Sequence, residues 1–209
     1  MEVDGLEVAV PRSRVRKTRN GGVKPEIKEN FKDERNNPPP VVAKTQKQKE
    51  YFRLLNDPEV QAIVVLGLHG TGKTYCASVV AADKFRRNEI KKIIVARAYV
   101  QTGKTSGFKP GTSLQKLYPY VRNVLDTIKS RVGHGAYDVA LKDGESGEIQ
   151  VQEVESIRGR SFDEPSYLII DEAQQVTIDE MKSIVTRVSD NCKLVLCGDI
   201  RQKDIHGVS

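Results

Sequence analysis

The sequence has few cysteines, no long apolar run and no secretory pattern, and each absence excludes a class of protein. Its three cysteines, none in a C-x-x-C pair, are too few for a disulfide framework and form no cysteine-based zinc motif. No stretch approaches the roughly 18–20 consecutive apolar residues that span a bilayer. The first ten residues lack a basic segment followed by an apolar one, so no secretory signal is expected. The chain is therefore predicted to be a reduced, cytoplasmic protein.

Acidic residues are also absent between Pro11 and Lys24, a segment that holds six basic residues. Outside it, 28 basic residues balance 28 acidic ones, so the net charge of +6 belongs to this segment. Residues 1–40 contain five of the nine prolines and a single aromatic residue. Because such a composition buries too little apolar surface to fold, we predict a disordered tail over 1–40. The basic run fits either a nucleic-acid-binding arm or a solvated linker.

From residue 41 onward, short apolar runs alternate with amphipathic helical patterns. The apolar runs mostly lack polar alternation, which is typical of strands covered on both faces. The order predicts an α/β domain over 41–209, with a parallel sheet between two layers of helices. Glycine and charge predict a surface loop or hairpin at 132–148. The predicted strands are 62–66, 92–96, 149–154, 167–170 and 193–197, and the predicted helices are 73–88, 114–131 and 178–188.

A phosphate-binding loop follows the first predicted strand, because residues 67–74 match G-x-x-x-x-G-K-[ST] in full. Glycines let the backbone N–H groups approach phosphate oxygens at the start of a helix, which already favours anions. Lys73 is predicted to contact the β- and γ-phosphates, and the Thr74 hydroxyl to bind Mg²⁺. The predicted nucleotide-binding residues are Gly67, Leu68, His69, Gly70, Thr71, Gly72, Lys73, Thr74 and Tyr75.

Two adjacent acids, Asp171 and Glu172, end the predicted strand at 167–170. Neighbouring carboxylates at a buried strand end are costly unless a cation offsets their charge. We therefore expect Asp171 to hold Mg²⁺ and Glu172 to orient and deprotonate the attacking water. A similar strand at 193–197 leads to Asp199 and Gln202, which are predicted to sense the γ-phosphate or that water. The alternative for Asp199 is a helix N-cap.

The phosphate loop, DEAQQ at 171–175 and GDIRQ at 198–202 together resemble the RecA-type core of helicase superfamily 1. More narrowly, the chain resembles the PhoH-like ATPases, many of which occur in bacteriophages. This resemblance spans about Thr45 to Asp204. Four further stretches carry it: IVARA at 94–98, GFKPG at 107–111, YPYVR at 118–122 and IRGRSF at 157–162.

The resemblance implies a RecA-like P-loop NTPase that uses ATP and Mg²⁺ and acts on nucleic acid, with RNA favoured over DNA. It also implies a bacteriophage member, which would work in the host cytoplasm, as a helicase or translocase. Gln48 lies in a segment similar to the one that reads the adenine edge in this family. Three arginines are candidates for phosphate or nucleic-acid contacts, namely Arg97, Arg158 and Arg160. The alternative for each of them is a surface salt bridge.

The family continues past the position of Ser209 to a short strand and a late arginine motif. If Ser209 is the natural end, that arginine must come from elsewhere, and a single RecA-type domain leaves one wall of its nucleotide site open. The resemblance therefore implies a homo-oligomer, such as a hexameric ring, with an arginine supplied by a neighbour. The candidates are Arg158, Arg160, Arg187 and Arg201.

One alternative function is a nucleotide-dependent switch or assembly factor that acts on a protein partner. It differs from the first hypothesis in that no polynucleotide would stimulate its slow turnover. A small-molecule kinase is disfavoured, because the sequence shows no arginine-rich lid and no acceptor site.

Overall fold

The computed structural model describes residues 6–9, 38–98, 111–157, 160–199 and 201, in which strands and helices alternate around one sheet. The strands are β1 (Leu6–Ala9), β2 (Ala62–Gly67), β3 (Lys92–Arg97), β4 (Ile149–Glu153), β5 (Ser166–Asp171) and β6 (Cys192–Gly198). The helices are α1 (Gln46–Asn56), α2 (Lys73–Arg86), α3 (Ser113–Val132), α4 (His134–Ala140), α5 (Val154–Ile157) and α6 (Ile178–Val185). Short 3₁₀ turns cover Gly144–Ser146 and Ala173–Gln175.

The sheet has the strand order β1-β2-β6-β5-β3-β4. All pairs from β2 to β4 are parallel, whereas β1 pairs with β2 in the antiparallel sense. The strand β6 thus lies between β2, which leads into the phosphate loop, and β5, which ends in the paired acids. The predicted α/β fold with a parallel sheet is confirmed.

Helices cover both faces of the sheet, because its strands are apolar on both sides. Ile93 and Val95 pack into one hydrophobic core with α1, α2, α3 and α4. Ile94 and Ala96 point the other way, into a second core with α5 and α6. Burial of each isoleucine or valine is worth about 1.5–3 kcal/mol, so the two cores fix the sheet between its helices. No helix in the described ranges is long and apolar enough to cross a membrane.

The expectation of disorder over 1–40 does not hold for Leu6–Ala9, which form β1. The backbone of these residues pairs with Val64–Gly67 along the outer edge of β2. An uncovered edge would leave a row of unpaired N–H and C=O groups, and β1 covers it. Pro39 also contacts the domain, since its carbonyl accepts a hydrogen bond from Arg131 at 3.3 Å. Residues 10–37 lie outside the described ranges, so the rest of the predicted tail stays a prediction.

The loop or hairpin predicted at 132–148 is wrong for its first half, where α4 forms. Tyr137 and Ala140, three residues apart, are 5% and 3% exposed and share one face of this helix. The Lys129 ammonium on α3 lies 5.2 Å from the centre of the Tyr137 ring and 3.0 Å from the Asp138 carboxylate. Packing against α3 therefore outweighs the low helix propensity of Gly135.

Lys193 on β6 gives the fold a measurable pH dependence. Its ammonium donates to the carbonyls of Leu54 at 3.0 Å and Asp57 at 2.6 Å, at the end of α1. Burial, helped by the charge of Lys84, lowers the pKa of Lys193 from 10.5 to about 8. Between those values the unfolded chain binds more protons than the folded one, so the contribution of Lys193 to stability rises with pH.

We expect the free energy of unfolding of the wild type, relative to Lys193→Met, to increase from pH 8 to pH 10. Urea denaturation of both proteins at the two pH values measures this difference. Lys91→Met, which removes an exposed lysine, is the control and should show the wild-type pH dependence. If the free energies of unfolding of the wild type and Lys193→Met changed equally with pH, the lowered pKa of Lys193 would be contradicted.

Candidate active site

The carboxyl ends of four neighbouring parallel strands meet at one edge of the sheet. There β2 ends at Gly67, β3 at Arg97, β5 at Asp171 and β6 at Gly198. In open α/β sheets, ligands bind at this edge. The parallel register thus brings together residues that are separated by up to 131 positions in the chain.

The phosphate loop connects β2 to α2, as the motif predicted. Gly70 and Gly72 have φ angles of +79° and +85°, which side chains with a Cβ rarely adopt. Gly72 is the N-cap of α2 and supplies no side-chain cap, so the first backbone N–H groups of the helix are left for another acceptor. His69 is exposed and Tyr75 is 50% exposed at the mouth of the loop. This geometry suits a phosphate group.

Lys73 lies across the loop rather than pointing away from it. Its ammonium donates to the carbonyl oxygens of Gly67 at 2.7 Å and Leu68 at 2.9 Å. These neutral acceptors hold the charge at the mouth of the loop and do not neutralise it. The ammonium can therefore exchange them for phosphate oxygens by rotation about its flexible stem.

Thr74 and Asp171 are in direct contact, although 97 residues separate them in the sequence. The Thr74 hydroxyl donates to Oδ1 of Asp171 at 2.7 Å. A hydroxyl and a carboxylate are hard oxygen donors of the kind that Mg²⁺ prefers, so this pair fits the predicted ion. No group of three or more His, Cys, Asp or Glu residues in the described ranges could hold a metal.

Behind this pair lie buried side chains of β6 and α1. Burial raises the pKa of the Cys197 thiol to about 12, with a further contribution from Asp171. Tyr51 on α1 is fully buried, and its hydroxyl donates to the carbonyl of Lys73 at 3.2 Å. The same hydroxyl lies 3.9 Å from the Cys197 sulfur. These contacts attach α1 and β6 to the start of α2 and so fix the position of Thr74.

Glu172 has a left-handed backbone conformation, with φ 51° and ψ 43°. Non-glycine residues adopt it at a cost, and such residues often occur at functional sites. Its carboxylate accepts a hydrogen bond from the side-chain amide of Gln174 at 2.6 Å. The side-chain oxygen Oε1 of Gln174 in turn accepts a hydrogen bond from the backbone N–H of Asp199 at 2.9 Å. Gln174, which sequence reasoning did not single out, thus connects the ends of β5 and β6 through Glu172.

Arg97, at the end of β3, lies against both acids. Its guanidinium is 3.1 Å from Oδ2 of Asp171 and 3.5 Å from Oε1 of Glu172. The sequence marked Arg97 as a candidate for phosphate or nucleic-acid contact or for a salt bridge, and the structure shows an ion pair inside the site. The position of Arg97 directly after a buried strand, like that of Asp171, is the signal that could have placed it there.

Gln48 lies beside the phosphate loop at the start of α1. Its amide nitrogen donates to the Thr71 carbonyl at 3.1 Å, and its amide oxygen accepts the N–H of Lys44 at 2.8 Å. A Cβ on Gly72 would lie 3.4 Å from the same amide nitrogen. The side chain is therefore placed at the nucleotide side of the domain.

The other residues that the sequence predicted for the site have no described contact with the phosphate loop or with the paired acids. Asp199 is 5% exposed, and Oδ1 of its side chain accepts the N–H of Arg201 at 2.9 Å, two residues on. Arg160 donates to Gln150 at 3.0 Å and lies over the Phe162 ring. The exposed candidates are Arg187 and Arg201, and the candidates outside the described residues are Gln202 and Arg158.

Sequence comparison places the chain among known proteins. The family described as PhoH-like protein matches residues 40–209. The PhoH-like protein of Bacillus subtilis is 34% identical over 165 residues, which are 79% of this chain and 50% of the relative. Protein PhoH of Escherichia coli K12 is 33% identical over 166 residues, covering 79% of this chain and 46% of the relative. The chain thus spans about half the length of the curated relatives it matches.

Among solved structures, the UvsW helicase from bacteriophage T4 is similar to this chain with a TM-score of 0.47 and 13% identity. The match covers 78% of this chain and 54% of that chain. The expected bacteriophage origin, RNA preference and ring remain predictions. The family match, the relatives above 30% identity and the strand–loop–helix geometry agree: the chain belongs to the PhoH-like protein family and has a P-loop NTPase fold.

Proposed function

We propose that this domain hydrolyses ATP with the help of Mg²⁺. The observation that carries the proposal is the contact of Thr74 with Asp171, which joins the phosphate loop to the paired acids within 2.7 Å. A glycine-rich turn before a helix can arise for structural reasons alone. Such a turn needs no hydroxyl and carboxylate in contact at its mouth, whereas P-loop NTPases use a Ser/Thr hydroxyl and an Asp there to hold Mg²⁺.

The phosphate loop would hold the β- and γ-phosphates through its backbone N–H groups, with Lys73 moving from the carbonyls of Gly67 and Leu68 to the phosphate oxygens. Thr74 and Asp171 would hold Mg²⁺, which when bound offsets the negative charge that spreads over the transferring phosphoryl group.

Glu172 would act as the general base. A water molecule placed in line with the γ-phosphorus loses a proton to the Glu172 carboxylate, and its oxygen forms the new bond to phosphorus. The bond to the β-phosphate oxygen breaks, leaving ADP and inorganic phosphate. Gln174 keeps one Glu172 oxygen in place by its 2.6 Å hydrogen bond. The preference for adenine would come from Gln48, whose amide must leave the Thr71 carbonyl to reach the base.

We further propose that a nucleic acid, with RNA favoured, regulates or uses this hydrolysis. The support is the segment between Pro11 and Lys24, with six basic residues and no acid, which suits repeated phosphate contacts. The test is the rate of ATP hydrolysis alone and with single-stranded RNA, single-stranded DNA or duplex. Stimulation by a polynucleotide supports the proposal. Turnover that no polynucleotide changes would contradict it and favour the protein-partnered switch.

The basic segment can be tested by substitution. Truncation of the N-terminus would also remove β1, which is part of the sheet. The six basic residues between Pro11 and Lys24 are therefore changed to glutamine, which leaves β1 in place. The variant should keep its basal ATP hydrolysis and bind single-stranded RNA more weakly, with a shallower dependence on salt, since fewer phosphates are neutralised. Fluorescence anisotropy at several salt concentrations measures both effects. An unchanged salt slope would show that the segment is a linker.

A further inference from the structure

Arg97 is the basic residue that the structure adds to the paired acids. It ends β3, next to β5 in the sheet, and its register partner is Asp171. One guanidinium nitrogen lies 3.1 Å from Oδ2 of Asp171 and the other 3.5 Å from Oε1 of Glu172. With Thr74 on Oδ1, both oxygens of Asp171 have a partner. Any cation that approaches Asp171 therefore meets the positive charge of Arg97.

The guanidinium also contacts α3. It donates to the carbonyl of Tyr120 at 3.3 Å and lies 5.5 Å from the centre of the Tyr120 ring. The Arg97 side chain is 23% exposed, so its charge is only partly screened by water. A planar guanidinium can bridge two carboxylates and a carbonyl at fixed angles, which a lysine ammonium cannot do. These contacts fix Arg97 before any ligand arrives.

Among the residues that the structure describes, two basic side chains of the site differ in their contacts. Lys73 lies on neutral carbonyls and is available to phosphate, whereas Arg97 lies on the acids. We propose that Arg97 is a positioning residue that neutralises the Asp171–Glu172 pair before nucleotide binds, opposes binding of a bare divalent cation and holds Glu172 in its orientation. This inference rests on the proposed ATP hydrolysis, and it assigns to Arg97 a role that the sequence motifs do not contain.

The proposal predicts effects of opposite sign on two ligands. Removal of one positive charge beside Asp171 and Glu172 favours a cation and disfavours the negatively charged phosphates. In Arg97→Gln, Mn²⁺ should bind the nucleotide-free chain about tenfold or more tightly, as measured by electron paramagnetic resonance titration. ATP in excess EDTA should bind roughly tenfold more weakly, as measured by calorimetry. A merely structural role would weaken both affinities together.

A control removes an arginine that pairs with a carboxylate outside the site, at the opposite end of α2 from the phosphate loop. Arg87, at the end of α2, pairs with Glu89 at 2.6 Å and is 48% exposed. Arg87→Gln should leave both affinities at the wild-type values. If it moves them as Arg97→Gln does, the effect is one of overall charge, and the proposal is overturned.

Arg97→Lys keeps the positive charge and loses the planar guanidinium, so it distinguishes the effect of charge from that of hydrogen-bond geometry. It also provides a test if Arg97→Gln does not fold. It should keep both affinities close to wild type, because the charge remains, and lose at least about tenfold in ATP turnover, because one ammonium cannot hold both acids. Wild-type turnover in Arg97→Lys would overturn the positioning role. If the wild type binds neither Mn²⁺ nor ATP, the proposed function itself fails. If the wild type binds both and Arg97→Gln changes neither affinity, only the role of Arg97 fails.

Discussion

Glu172→Gln should bind ATP and Mg²⁺ close to wild-type affinity and lose on the order of 10²–10⁴-fold in turnover. The amide keeps the size of the side chain and one oxygen, so Gln174 can still donate to it at the position that it now contacts at 2.6 Å. What the amide cannot do is accept the proton of the attacking water. Single-turnover release of phosphate, with ATP affinity measured separately, distinguishes the loss of the base from a loss of binding.

Glu164→Gln is the matched control for this change. Glu164 precedes β5 at the opposite end of the strand from Glu172, and it pairs with Lys92 at 2.8 Å while 48% exposed. The control also removes one carboxylate charge, but away from the site, and should hydrolyse ATP at the wild-type rate. Turnover of Glu172→Gln within a few-fold of wild type would show that another group takes the proton.

Lys73→Ala should instead lose affinity for ATP itself. Hydrogen bonds that involve a charged group contribute about 1.5–3 kcal/mol, which corresponds to roughly 10–150-fold in the dissociation constant. Fold stability should change little, because the contacts of the Lys73 ammonium with described residues are those to the carbonyls of Gly67 and Leu68 at the mouth of the loop. Calorimetric titration with ATP, together with a thermal denaturation curve, measures both quantities.

Lys92→Ala controls for the loss of a lysine. Lys92 begins β3 at the far end of the sheet and pairs with Glu164, so the variant should bind ATP like the wild type. Equal ATP affinity in Lys73→Ala and the wild type would mean that the loop does not hold phosphates through this side chain.

The central part of the fold could be predicted from the sequence because its signals are local. Apolar runs such as Ile93–Val95 predict strands that are covered on both faces, and both faces are indeed buried in the two cores. The position of the phosphate loop follows from its glycines and from the flanking strand and helix. The contact of Thr74 with Asp171 could be anticipated only because both lie at carboxyl ends of parallel strands or just beyond them.

The features that could not be predicted depend on contacts between distant segments. The helix α4 forms because Tyr137 and Ala140 pack beneath α3, which no local pattern shows. The pairing of β1 with β2 joins residues about 57 positions apart, and a four-residue strand carries little signal. The contact of Arg97 with both acids depends on β3 lying next to β5 in the sheet. The sequence motifs do not specify the order of the strands, so this contact could not be predicted from them.

The most direct test of the central claim is phosphate release from ATP by the purified chain in Mg²⁺, compared with the same assay in excess EDTA. The proposal predicts steady release in Mg²⁺, loss of that release in EDTA, and the same loss in Glu172→Gln in the presence of Mg²⁺. A release rate in Mg²⁺ that equals the rates of the EDTA sample and of Glu172→Gln would contradict the claim that Thr74, Asp171 and Glu172 form a hydrolytic site.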